Sequence, residues 1–162
     1  LYNRRYYVKI IQEEINRVKR HHLSMALMML DVDNFKLYND TYGHQEGDKV
    51  LNGVADVLKS YTSRSGEYAF RLGGEEFGVV VSDMSCEGYV DLANRIRSGI
   101  EKLAIIHEKN DASPYVTISI GIAEYRYDDN MTCEELYKEA DMQLYSAKRR
   151  GRNQVMIRDK AD

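Results

Sequence analysis

Four short stretches carry residue types suited to chemistry on a charged substrate. Asp31 and Asp33 stand two apart, where the apolar run Met25-Ala26-Leu27-Met28-Met29-Leu30 ends. On a strand that spacing puts both carboxylates on one face. Hard cations such as Mg2+ take one or two carboxylates together with substrate phosphates. Either aspartate could equally cap the following turn, the commoner role for an isolated D-x-D. An EF-hand is excluded, because Phe35 stands where the third oxygen ligand belongs and the loop glycine is missing. Gly43-His44-Gln45-Glu46-Gly47-Asp48-Lys49 places glycines ahead of a helical pattern, where backbone N–H groups could hold an anion. It has neither P-loop spacing nor a Ser/Thr after Lys49, and it is no Rossmann fingerprint; an ordinary loop with a helix start fits its glycine content as well. Glu75 and Glu76 follow Gly73-Gly74 inside an apolar hairpin. Only one of them can face a given site, and a solvated acidic turn is the plain alternative. Lys148 and Arg152, four apart near a helix end, could meet a phosphate or simply complement the helix dipole.

Composition narrows the classes. A chain of 162 residues with 43% hydrophobic and 30% charged residues reads as one domain with a core of its own. The net charge of -3 argues against a general DNA or RNA binder. Cys86 and Cys133 stand apart from any Cys/His cluster, which argues against structural zinc and for a reducing compartment. No apolar stretch approaches the roughly 20 residues of a membrane span, and no signal peptide is visible.

The elements that must position these residues follow from periodicity. Tyr7, Ile10, Ile11, Ile15 and Val18 predict a first helix. The Met25–Leu30 run predicts a strand buried on both faces. A helix is expected from Gly47 to about Tyr61, then strands over 68–72 and 77–81 joined by the glycine turn. A helix follows from about Glu87 to Leu103. Alternation over Tyr115–Ala123 predicts a half-buried strand, with Val116, Ile118, Ile120 and Ile122 inside and Thr117, Ser119 and Gly121 outside. Thr132 and Glu135 suit a capping box for a last helix stopped at Gly151, and a strand over Gln154–Arg158 closes the chain. The order predicts an α+β fold: a central, mostly antiparallel β-sheet with a β-α-β-β-α-β core flanked by helices.

Taken together, the stretches resemble the GGDEF family, the diguanylate cyclases. Arg71-Leu72-Gly73-Gly74-Glu75-Glu76-Phe77 matches the naming motif in its GGEEF form. Asp31-Val32-Asp33-Asn34-Phe35-Lys36-Leu37-Tyr38-Asn39-Asp40 matches D-x-D-x-F-K-x-x-N-D, and Gly43 to Asp48 matches G-H-x-x-G-D. Val116–Gly121 and Ala140–Asn153 match the C-terminal blocks, so the resemblance covers essentially the whole chain in order. It implies a sheet like that of nucleotidyl cyclase and polymerase palm domains. It also implies condensation of two GTP into cyclic di-GMP with release of two pyrophosphates.

By the same resemblance, Asp31, Glu75 and Glu76 form the catalytic set. Asp31 and Glu75, with the Val32 carbonyl, would hold Mg2+, with Mn2+ as a substitute. Asp33 lies nearby with no assigned role. Phe35, Lys36, Lys148 and Arg152 would meet the triphosphate, and Asn39 and Asp48 would read guanine, with His44 in the same substrate-binding block. Arg64 and Glu67 match an R-x-x-D product-inhibition site with glutamate for aspartate, and Arg95 matches its second arginine. One domain binds one GTP, so a second copy of the domain completes the reaction. The family's D-x-L-T-G-L-x-N-R opening is reduced to Leu1-Tyr2-Asn3-Arg4, without the aspartate that commonly pairs with the arginine at Arg71. The resemblance thus implies one catalytic domain over 1–162, the C-terminal part of a longer signalling protein with an upstream sensor. It would sit in the cytoplasm, with tethering to the inner membrane through upstream segments left open. The alternative is a catalytically silent GTP- or cyclic di-GMP-binding regulatory module.

Overall fold

The computed structural model describes residues 1–159. Its elements run α1 (Arg4–His21), β1 (Ser24–Val32), α2 (Phe35–Tyr42), α3 (His44–Tyr61), β2 (Tyr68–Gly73), β3 (Glu76–Ser82), α4 (Cys86–Glu101), β4 (Ile118–Arg126), α5 (Cys133–Arg149) and β5 (Val155–Ile157). The strands lie side by side in the order β2-β3-β1-β4-β5. All neighbours are antiparallel except β4 and β5, which are parallel. This is the α+β, mostly antiparallel sheet expected from the order of elements.

β1 is the centre of the molecule. Successive side chains of a strand point to opposite faces, and both faces here are covered. Ala26, Met28 and Leu30 pack with Val54, Leu58 and Ile96 from α3 and α4. Met25, Leu27 and Met29 pack with Ile11, Leu136 and Leu144 from α1 and α5. Fully burying one such side chain contributes about 1.5–3 kcal/mol. The strand that ends in Asp31 is therefore firmly held.

Local signals place the helices well. The Asn3 side chain accepts the Tyr6 N–H at 3.0 Å to start α1, and the Thr132–Glu135 capping box starts α5 in both directions. Three expectations need correction. Residues 35–42 form a helix of their own, α2, and α3 starts at His44 rather than Gly47. Gly47 is therefore inside a helix and buried, not part of an open anion-binding loop. Finally, β4 is buried on both faces: Thr117 and Ser119 are 0% exposed and Gly121 is buried. A Cβ at Gly121 would stand 2.1 Å from the Leu144 nitrogen and 2.3 Å from the Ala140 oxygen, so the α5 backbone lies directly on this strand.

Candidate active site

The glycine hairpin turns at Gly74, whose φ of +49° suits the left-handed conformation that tight hairpins require. Arg71 braces it, donating from Nε and Nη2 to the Gly74 carbonyl at 3.3 and 3.1 Å. The turn folds onto the end of β1, where the Val32 N–H donates to the Glu75 carbonyl at 3.3 Å. Strand register sets Asp31 directly opposite Glu76, which puts these two side chains on one face.

Asp31 is 7% exposed, and Lys148 Nζ donates to its Oδ2 at 2.8 Å. Burial pushes the Asp31 carboxyl up to about 6; Lys148 works against that shift, and the charges of Glu75 and Glu76 add to it. Lys148 reaches this point because α5 sits so close on β4 at Gly121. The family implies Mg2+ here. Among the described residues no three His, Cys, Asp or Glu side chains gather to hold a metal by themselves. The donor set nevertheless fits a hard cation that brings phosphate oxygens with it. Its carboxylates are oxygen donors, and the Lys148 ammonium already compensates Asp31 as a cation would.

Beside this acidic pole α2 begins. Its N-cap residue, Asn34, has φ +52° and makes no side-chain cap. Instead the Asn34 amide donates to Asn110 Oδ1 and Asp111 Oδ1, both at 3.0 Å. The first-turn N–H groups, those of Phe35 and Lys36 included, have no side chain capping them, and a helix start in that state favours anions. Arg152 lies within reach of the same corner, with Nη1 3.7 Å from Asp111 Oδ2.

A second group lies where α2 and α3 meet. Asn39 Oδ1 is buried without a protein partner. A Cβ at Gly47 would stand 1.8 Å from that oxygen, so only glycine leaves Asn39 its place. Asp48 follows Gly47 directly, and both Asp48 and His44 are exposed. The third group is separate. Arg64 and Glu67 close a turn in which Glu67 Oε2 accepts the Arg64 main-chain N–H at 3.0 Å. Arg95 stacks over the Tyr61 ring at 5.3 Å.

Asp33 lacks a role in the sequence reading, and its partners are missed altogether. It accepts from Ser119 Oγ at 2.6 Å, Thr117 Oγ1 at 2.8 Å and the Asn153 N–H at 3.0 Å. The available signal was a pair of hydroxyl residues alternating within an apolar strand.

The geometry agrees with comparison to known proteins. The family model described as diguanylate cyclase, GGDEF domain, matches residues 1–154. The chain belongs to the GGDEF family. The GGDEF domain of a Vibrio cholerae diguanylate cyclase, an active GGEEF domain, superposes with a TM-score of 0.83 at 32% identity, covering 99% of each chain. The coiled coil and GGDEF domain of DgcB from Caulobacter crescentus, solved in complex with c-di-GMP, gives 0.84 at 27% identity, covering 98% of this chain and 82% of that one. An uncharacterized membrane protein of Staphylococcus aureus strain USA300 is 39% identical over 154 residues. That match covers 93% of this chain but only 43% of the relative's length. No helix among the described residues is long and apolar enough to cross a membrane.

Proposed function

We propose that this domain is one half-site of a diguanylate cyclase. Each GTP 3′-hydroxyl oxygen bonds to the α-phosphorus of the other GTP. The bond from that phosphorus to pyrophosphate breaks, and the hydroxyl proton leaves. The observation that carries the reading is the Lys148–Asp31 pair at the mouth of the glycine hairpin, beside an uncapped helix start. Catalysis in such a site is mainly positioning and charge compensation.

Asp31, Glu75 and the Val32 carbonyl would hold Mg2+, or Mn2+ in its place, which supplies charge neutralisation at the phosphates when bound. Glu76, across the ladder from Asp31, concentrates negative charge there and keeps that pole selective for cations. The Phe35 and Lys36 end of α2, with Lys148 and Arg152, binds the triphosphate. Asn39 and Asp48 read guanine, with His44 beside them at the start of α3. An Asp48 carboxylate accepts from the guanine N1–H and exocyclic amine, whereas adenine offers no donor at N1. The buried, unpartnered Asn39 oxygen supports a ligand at this position.

The domain binds one nucleotide, so two copies meet across a twofold axis with their sites facing. We read residues 1–162 as a single catalytic domain, the C-terminal part of a longer signalling protein with a sensor upstream. We place the domain in the cytoplasm; the match to less than half of a relative named as a membrane protein supports its being carried on a longer chain that could tether it. The DgcB complex supports cyclic di-GMP as product and feedback ligand.

The test is incubation with GTP and Mg2+ followed by chromatography of the nucleotides, over a wide range of protein concentration. Cyclic di-GMP is expected, with activity per molecule rising with concentration. Binding of GTP without product at any concentration would instead identify a silent regulatory module.

A further inference from the structure

Asp33 is 1% exposed, and three donors converge on its two oxygens: the hydroxyls of Thr117, just before β4, and Ser119, within it, and the main-chain N–H of Asn153. No acceptor faces it in these contacts. A carboxylate suits such a place because it only accepts; an amide would turn N–H groups toward one of the donors.

What hangs from this hub is the phosphate corner. After α5 the chain passes through Gly151, Arg152 and Asn153 at φ of +115°, +63° and +45°. The last two are left-handed conformations that side-chain-bearing residues adopt reluctantly. The turn is held by the Arg152 N–H to the Ala147 carbonyl at 3.0 Å and by Asn153 to Asp33. The Asn153 side chain adds contacts to Arg97 and Glu101 at 3.0 and 3.2 Å. On the other side, Thr117 Oγ1 accepts from Asn110, and Asn110 Oδ1 accepts from Asn34, the residue before α2. His107 Nε2 lies 3.0 Å from the Asn34 carbonyl oxygen. One buried carboxylate thus joins the turn that presents Arg152 to the residue that opens the α2 N-terminus.

We propose that Asp33 is a positioning residue for triphosphate recognition, fixing the Arg152 turn and the start of α2 in one geometry. The D-x-D pair then divides its labour: Asp31 faces the cation and Asp33 faces inward. This rests on the triphosphate reading above.

The test measures binding by calorimetry with two probes, GTP in EDTA and guanosine, together with hydrogen exchange over residues 147–155. In D33N, GTP affinity without metal should fall about tenfold, the scale of one lost charge-assisted hydrogen bond. Guanosine binding should be unchanged, and the Asn153 amide should exchange faster. If D33N fails to fold, T117V carries the test by removing one donor, with a smaller loss confined to GTP. Wild-type affinity for GTP in D33N and T117V would overturn the role of Asp33 alone. A defect seen only when Mg2+ is present would overturn it in favour of a metal ligand. Failure of the wild type to bind either probe would overturn both this proposal and the cyclase reading.

Discussion

The acidic end of the sheet and the Arg64–Glu67 turn both carry charged residues matched to nucleotide chemistry, yet they are built differently. At the sheet end the contacts that fix the two aspartates span the chain: Lys148 to Asp31 crosses 117 positions, and Ser119 to Asp33 crosses 86. Those groups meet only once the whole fold has formed, and they are largely withdrawn from water. The Arg64–Glu67 turn closes on itself across three positions and stays exposed at Arg64. A site assembled from remote elements is rigid and sensitive to a single atom. A local turn tolerates change, because water replaces what a mutation removes. Substitutions at the sheet end should therefore act strongly on chemistry, and those at the turn weakly on affinity.

The sharpest break of this contrast is Glu75→Gln. It removes one charge beside Asp31 while keeping the hairpin, whose turn depends on Gly74 and Arg71. Turnover should fall at least about 100-fold with the thermal melt unchanged, since one carboxylate that would hold the charge-neutralising Mg2+ is lost and the phosphate charge is left uncompensated. Unaltered turnover, measured as cyclic di-GMP per enzyme, would take Glu75 out of the site.

Asp31→Asn tests the same region through stability. Burial pushes the folded-state carboxyl up to about 6, from an ordinary value of 3.8. Between these values the folded protein binds more protons than the unfolded chain, so this residue's contribution to stability falls as pH rises through the window. Above it the ionised carboxylate costs up to about 3 kcal/mol. Asp31→Asn should thus be more stable than wild type at pH 7.5, with the gap closing toward pH 4. Denaturant melts at both values check it, and a gap independent of pH would exclude Asp31 as its source.

The sequence made some of this visible and hid the rest for physical reasons. Long periodic helices and the α5 capping box are legible because each signal is local: Thr132 and Glu135 satisfy each other's amides across three residues. The motif residues were legible by type. α2 was not, because eight residues with only Phe35 and Tyr38 buried show no stable period, and Asn34 gives no side-chain cap. The outer face of β4 was misread as solvated because Thr117, Ser119 and Gly121 look polar or small. Their reasons lie elsewhere in the chain, in Asp33 and in the α5 backbone. The direction of Asp33 was hidden for the same cause: its partners are too distant in sequence for any spacing rule.

Asp48→Ser sharpens the comparison within the substrate site itself, because Asp48 is exposed whereas Asn39 is half-buried beside it. An acceptor that reads guanine donors rejects a base without them. The GTP-over-ATP preference should fall about tenfold or more when the nucleotides compete. An unchanged ratio would assign guanine reading to Asn39 alone.

The smallest effects belong to the turn. One Glu67 oxygen accepts the Arg64 amide, so the carboxylate already serves the loop, while the Arg64 guanidinium extends into solvent. Arg95 rests on Tyr61 at the end of α3, three residues before Arg64. Together the arginines could grip product phosphates and stack on guanine. Glu67 stands at the aspartate position of the R-x-x-D pattern it resembles, and it must order one more rotatable bond to reach a guanine edge. That ordering costs about 0.5–1.5 kcal/mol, equivalent to at most about tenfold in affinity. Calorimetry with cyclic di-GMP should therefore rank the proteins Glu67→Asp, wild type, Arg64→Ala, each step within about tenfold. Turnover at low product should be the same in all three, since none of these side chains joins the acidic pole. Equal binding by all three, or none by any, would reduce the turn to a solvated loop and leave the sheet end as the only nucleotide site of the two regions compared.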